Sequence, residues 1–166
     1  EYTWRDLVVS SLSFEEVFSR QILEPKREEH LKQKIPLIKE ITDTVSTRVR
    51  DQYEENPYPR WEHLGLPAKS SSISKFVIDT QLRLINNEIL DNTAPQILVA
   101  GCGTGQHSIG TAARFRNSNV LAIDLSLASL AYARRKAEDL DIDNIEHMRG
   151  DILDLKKLNR QFDIIE

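Results

Sequence analysis

The sequence has a single cysteine, Cys102, so an internal disulfide is excluded and nothing points to an oxidising compartment. A reduced, cytoplasmic protein is the expectation. Its four histidines show no metal-ligand spacing and there is no cysteine pair, so no metal is expected. No apolar run approaches the roughly 20 residues of a membrane span, and the N-terminus lacks a basic-then-apolar leader. A net charge of −4 gives no global electrostatic reason to bind nucleic acid. No repeat period or low-complexity tract is present. With 40% hydrophobic and 29% charged residues in 166, the composition is that of a globular chain with one core. Glycine is scarce, yet three of the six glycines fall at 101, 103 and 105.

Those three follow Ile97-Leu98-Val99-Ala100 directly. Four apolar residues after Pro95 suit a core strand of a parallel sheet. Glycines after such a strand let the backbone turn and approach a ligand without Cβ interference. A helix beginning near Gly105 would aim its free N–H groups at the same place. A dinucleotide fingerprint, G-x-G-x-x-G, needs its third glycine where Gln106 stands. The next strand, Val120-Leu121-Ala122-Ile123, ends in Asp124, about 20 residues on, where a carboxylate can accept from two ribose hydroxyls. Ile145-Glu146-His147-Met148 and Phe162-Asp163-Ile164-Ile165 read as two further strands.

In order and interval, AGCGTG, VLAIDLS, HMRGDILDL and QFDIIE resemble the first four sheet motifs of the class I S-adenosylmethionine-dependent methyltransferases. The resemblance covers about 95–166 and implies an α/β fold, the N-terminal half of a Rossmann-like parallel sheet, binding S-adenosyl-L-methionine. It implies that Ala100, Gly101, Cys102, Gly103 and Gly105 lie against the methionine and ribose. Asp124 would hold the ribose hydroxyls, Leu125 would pack on adenine, and Asp151 with the Ile152 backbone would meet the adenine edge. The sequence departs from the family where many members carry an acid, two positions before the first glycine: here it is Val99. Gln52 to Trp61 resembles the segment before the methyltransferase domain in a bacterial group often linked to tetratricopeptide repeats.

Residues 1–72 read as a helical arm with an aromatic and proline-rich segment, and 73–166 as the partial Rossmann-like domain. Ser13-Phe14-Glu15-Glu16 fits a capping box, opening a helix through about Ile22 that Glu24-Pro25 ends. Leu37, Ile41, Val45 and Val49 form the stripe of a second helix, ending before Asn56-Pro57. Ser74 precedes a third, with Phe76, Val77, Leu82, Ile85 and Ile89 facing the sheet. Ser126 opens another, whose Arg134-Arg135-Lys136 reads as a solvated face. Tyr53 to Trp61 is either a lid that brings Tyr53, Tyr58 and Arg60 to the cofactor or an aromatic anchor for the arm. Cys102 reads as a small turn residue and His107 as a helix-start residue, so no catalytic residue is named.

Beginning without Met and stopping at a strand end, the chain reads as a piece of a longer methyltransferase, itself silent, whose acceptor-facing residues lie past Glu166. A homodimer through the exposed sheet edge, aggregation, or cover by the arm follows from that edge. The alternatives are a non-catalytic cofactor-binding sensor or scaffold, which Val99 keeps open, and an NAD-dependent oxidoreductase, which must explain Gln106.

Overall fold

The computed structural model describes residues 12–85, 87–115 and 117–166. Four parallel strands, β1 (Gln96–Ala100), β2 (Asn119–Asp124), β3 (Ile145–Arg149) and β4 (Ile164–Ile165), form one sheet in the order β3-β2-β1-β4. The apolar runs placed the first three to within a residue at either end. β4 is shorter than the expected 162–165. Its pairing still extends to both sides, because Asp163 donates its N–H to Gln96 O and Glu166 donates its own to Leu98 O.

Helices α5 (Gln106–Arg114) and α6 (Leu127–Asp139) link β1 to β2 and β2 to β3. They cover one face of the sheet, burying Ile97, Val99, Val120 and Ala122 against Ile109, Ala112, Leu130 and Ala131. The other face presents Leu98, Leu121 and Ile123 to Ile38, Met148, Leu155, Leu158 and Phe162, the cover there being the 3-10 turn Ile152–Leu158. Alanines on α6 let it lie close: a Cβ built on Gly105 would stand 2.5 Å from that of Ala133.

The helices ahead of the sheet depart from the expected boundaries. α1 (Leu12–Phe18) and α2 (Glu24–Lys32) are joined through a π-turn at Ser19–Leu23, so Glu24-Pro25 does not end the helix. Proline has no N–H to give, and the turn shifts the register so that Glu24 donates to Ser19 O. Ser13 lies inside α1, and its side chain, and with it the capping box, is outside the described residues.

Leu37 does not start a helix. It forms a parallel bridge to Arg149, flanked by Ile38 N–H to Arg149 O and Arg149 N–H to Pro36 O. α3 (Thr44–Glu55) starts only where the Asp43 carboxylate accepts from Val45 and Ser46 N–H. It stops at Asn56, before the proline, as expected. α4 (Ile73–Thr80) is capped by Ser72 rather than Ser74 and closes at left-handed Gln81, leaving Leu82 and Ile85 exposed.

Arg134-Arg135-Lys136 is not a solvated face, for Arg135 is only 2% exposed. Its guanidinium pairs with Glu24 at 2.8 Å, Glu28 at 3.0 Å and Asp139 at 2.9 Å. The charged run is the seam on which α2 docks against α6. Leu31, Ile35 and Trp61 belong to the same buried cluster as Ile97 and Ile109, so the core runs without a break from the arm into the sheet.

Candidate functional site

The chain turns at the carboxyl end of β1 through Gly101, Gly103 and Gly105, with φ of +83°, +54° and +84°. Side chains rarely adopt such angles, which is the local reason for glycine here. The three have different surroundings. An added Cβ on Gly105 would strike α6, whereas at Gly101 and Gly103 it would meet nothing within 4 Å. These two positions therefore leave bare backbone facing open space at the strand ends, a cradle into which a ligand can come close. Gly105 caps α5 without a side chain, leaving the first-turn N–H groups of that helix to the same space.

Asp124, the last residue of β2, is tied to this loop. Its Oδ2 accepts the Gly103 N–H at 2.8 Å and its Oδ1 the Ser126 N–H at 2.9 Å. Gly101 and Cys102 both donate to Ile123 O, and Gly150 donates to Asp124 O, so the ends of β1, β2 and β3 form one connected surface. Burial pushes the Asp124 carboxyl above its usual range, opposed by its backbone N–H donors and assisted by the charge of Glu54. Each carboxylate oxygen keeps lone-pair capacity beyond its backbone donor.

Asp151 is buried and caps the turn after β3, accepting from Leu153 N–H at 2.9 Å. Ile152 beside it is exposed and Leu125 is half-buried. Cys102 is buried within the loop, and its thiol is pushed up by burial and then by the charge of Asp124, which leaves it no thiolate character. His107 lies in the first turn of α5. Among the described residues, no group of histidine, cysteine, aspartate or glutamate is arranged to hold a metal.

The segment from Tyr53 to Trp61 reaches the glycine loop. Thr104 donates its hydroxyl to Pro59 O at 2.7 Å, and buried Trp61 donates its indole N–H to Thr104 O at 3.0 Å. Tyr132 on α6 in turn donates its hydroxyl to Trp61 O and meets the Trp61 ring edge-on, with centroids 6.0 Å apart. Arg60 points at the arm: its guanidinium is held by Glu28 at 2.9 and 3.2 Å and lies over the Tyr132 ring. Trp61 and Arg60 thus behave as an anchor. Tyr53 is partly exposed and its carbonyl accepts from Ser126 Oγ, while Tyr58 is 74% exposed.

Three contributors were missed in the sequence: Thr104, Trp61 and Glu54, whose carboxylate accepts from Ser126 Oγ and the Ala128 N–H at the start of α6. Thr104 stood inside the glycine loop and Trp61 in the aromatic segment. Each was visible as a residue, but their pairing across 43 positions was not.

Residues 97–166 match the model of a family described as a methyltransferase domain. A release factor glutamine methyltransferase of Rhodopirellula baltica is 28% identical over 123 residues, 74% of this chain and 37% of that protein. A tRNA (guanine-N(7)-)-methyltransferase of Lactococcus lactis is 37% identical over 65 residues, 39% of this chain and 30% of that protein. The structure of PKMT2 from Rickettsia typhi in complex with AdoHcy aligns at 30% identity with a TM-score of 0.41, covering 44% of this chain and 14% of that one. The chain therefore spans about a third of the length of the curated relatives it matches. No described helix is long and apolar enough to cross a membrane. With its β3-β2-β1-β4 parallel order and its glycine turn, the matched segment is similar to a methyltransferase domain.

Proposed function

We propose that this chain is the cofactor-binding part of an S-adenosylmethionine-dependent methyltransferase, with the cofactor lying across the carboxyl ends of β1, β2 and β3. The observation that carries the reading is the bond from Gly103 N–H to Asp124 Oδ2. It puts the bare glycine backbone and the ribose-type acid side by side, where open α/β sheets take their ligands.

In this reading Ala100, Gly101, Cys102, Gly103 and Gly105 supply the backbone surface for the methionine and ribose. Asp124 accepts from the ribose hydroxyls. Leu125 and Ile152 flank the adenine, with Asp151 fixing the Ile152 backbone as a cap. Tyr53 and Tyr58 border the cofactor from the aromatic segment, which Arg60 holds in place from the arm side through Glu28.

The bound cofactor supplies an electrophilic methyl group on a sulfonium. The part left to the chain is to orient that group, keep water away and hold the acceptor in line.

Isothermal titration of the full chain with S-adenosylhomocysteine tests the reading. Asp124→Ala is expected to weaken binding at least tenfold, since hydrogen bonds to a charged acceptor contribute about 1.5–3 kcal/mol each. Equal binding by wild type and variant would remove Asp124 from the site, and tighter binding of NAD would replace the cofactor.

A further inference from the structure

Class I domains commonly place an acid at the end of β1, and here position 99 is a buried valine. Its side chain packs with Ile97 on the face that α5 covers. The β1 and β4 register runs Ile97↔Ile164 and Leu98↔Ile165, and one step further it sets Val99 beside Glu166. The backbone carries that step, since Glu166 N–H donates to Leu98 O and Ala100 N–H donates to Glu166 O, both at 2.9 Å. Paired residues of a sheet point to the same face. The Glu166 carboxylate therefore stands one strand over from Val99, on the same face and at the same end of the sheet.

Two residues of α5 hold it there. Thr111 donates its hydroxyl to Glu166 Oε2 at 2.9 Å, and His107 Nε2 lies 3.0 Å from the same oxygen. Both contacts go to Oε2, and among the described residues none goes to Oε1, which can accept from a ligand. The neighbouring acids have other tasks: Glu54 caps α6, Asp151 caps the turn after β3, and Asp124 ties the loop. Glu166 also lies across β1 from Asp124, because β4 and β2 flank β1 on opposite sides.

We propose that Glu166 is the counter-charge for the α-ammonium of the cofactor, standing on β4 in place of the acid absent from β1. This rests on the cofactor reading above. A nucleoside held at β2 by Asp124 and extended over the glycine loop brings its amino-acid end to β4, where the prearranged carboxylate meets it.

The test compares S-adenosylhomocysteine with 5′-methylthioadenosine, the same nucleoside thioether without the amino-acid part, by calorimetry on the full chain. Glu166→Gln is expected to weaken S-adenosylhomocysteine on the order of tenfold or more and methylthioadenosine by less than twofold. Retained nucleoside binding also shows that the variant folds. Equal weakening of both ligands would make Glu166 a structural residue, and unchanged S-adenosylhomocysteine affinity would remove it from the site. If wild type bound neither compound, the cofactor reading itself would fail and take this assignment with it.

Discussion

His147, on β3, is buried beside α6, and its Nε2 has no hydrogen-bond partner among the described residues. Burial, with Arg134 close by and only partly offset by Glu138, pushes its pKa down to about 4. The unfolded ring, near its ordinary 6.5, binds more protons than the folded one between those values, so stability rises with pH across that window. Full above pH 6.5, the contribution falls as the solution is acidified. Denaturant unfolding at pH 5 and pH 7 is expected to differ by about 2 kcal/mol from this group. His147→Gln should flatten that step, and an unchanged slope in the variant would assign it to other residues. The residue was legible in the sequence only as a strand position, since its desolvation comes from a helix that the strand pattern does not place.

At the scale of elements, the sheet and its two crossover helices were readable because local signals and tertiary demand agree. Apolar runs made β1 and β2, and Ser126, whose hydroxyl accepts from Ser129 N–H, marked the start of α6. The arm was misread where the two conflict. Leu37 has the four-residue spacing of a helix stripe, but its backbone neighbours are taken by Arg149, and strand pairing overrides periodicity. Arg135 looked solvated because its acidic partners on α2 lie about 110 positions upstream; Glu28 is 107 away. That seam has a measurable coupling. Glu28 is buried and shared by Arg60 and Arg135, so Glu28→Leu leaves Arg135 short of a partner inside the protein. The variant is expected to lose about 2 kcal/mol, because Arg135 keeps Glu24 and Asp139 but loses one of its three charge-assisted hydrogen bonds. Adding Arg135→Met should recover part of the loss in the same melting experiment, whereas strictly additive losses would show that the two charges are not coupled.

At the scale of the molecule, buried residues on both sides of position 72 share one core. Leu31 and Ile35 of the arm and Trp61 of the aromatic segment share one buried cluster with Ile97, Ile109 and Leu130. The ion pairs of Arg135 and the bonds of Trp61 and Thr104 cross the same line. A unit whose apolar and polar contacts are both shared should unfold in one step. In a Trp4→Phe background, Trp61 fluorescence reports on the junction between arm and glycine loop while far-ultraviolet circular dichroism reports on all helices. The two urea transitions are expected to coincide, and Glu28→Leu, at the seam between the arm and α6, should move both midpoints together. An arm that melted first, with Trp61 exposed while the sheet helices kept their signal, would instead establish two separately stable parts. The glycine loop would then owe its shape to the sheet alone, and S-adenosylhomocysteine affinity would survive the loss of the arm. Coincident transitions require the opposite: ligand at the glycine loop raises the midpoint seen by either probe by the same amount, because binding to one face of a single cooperative unit stabilises all of it.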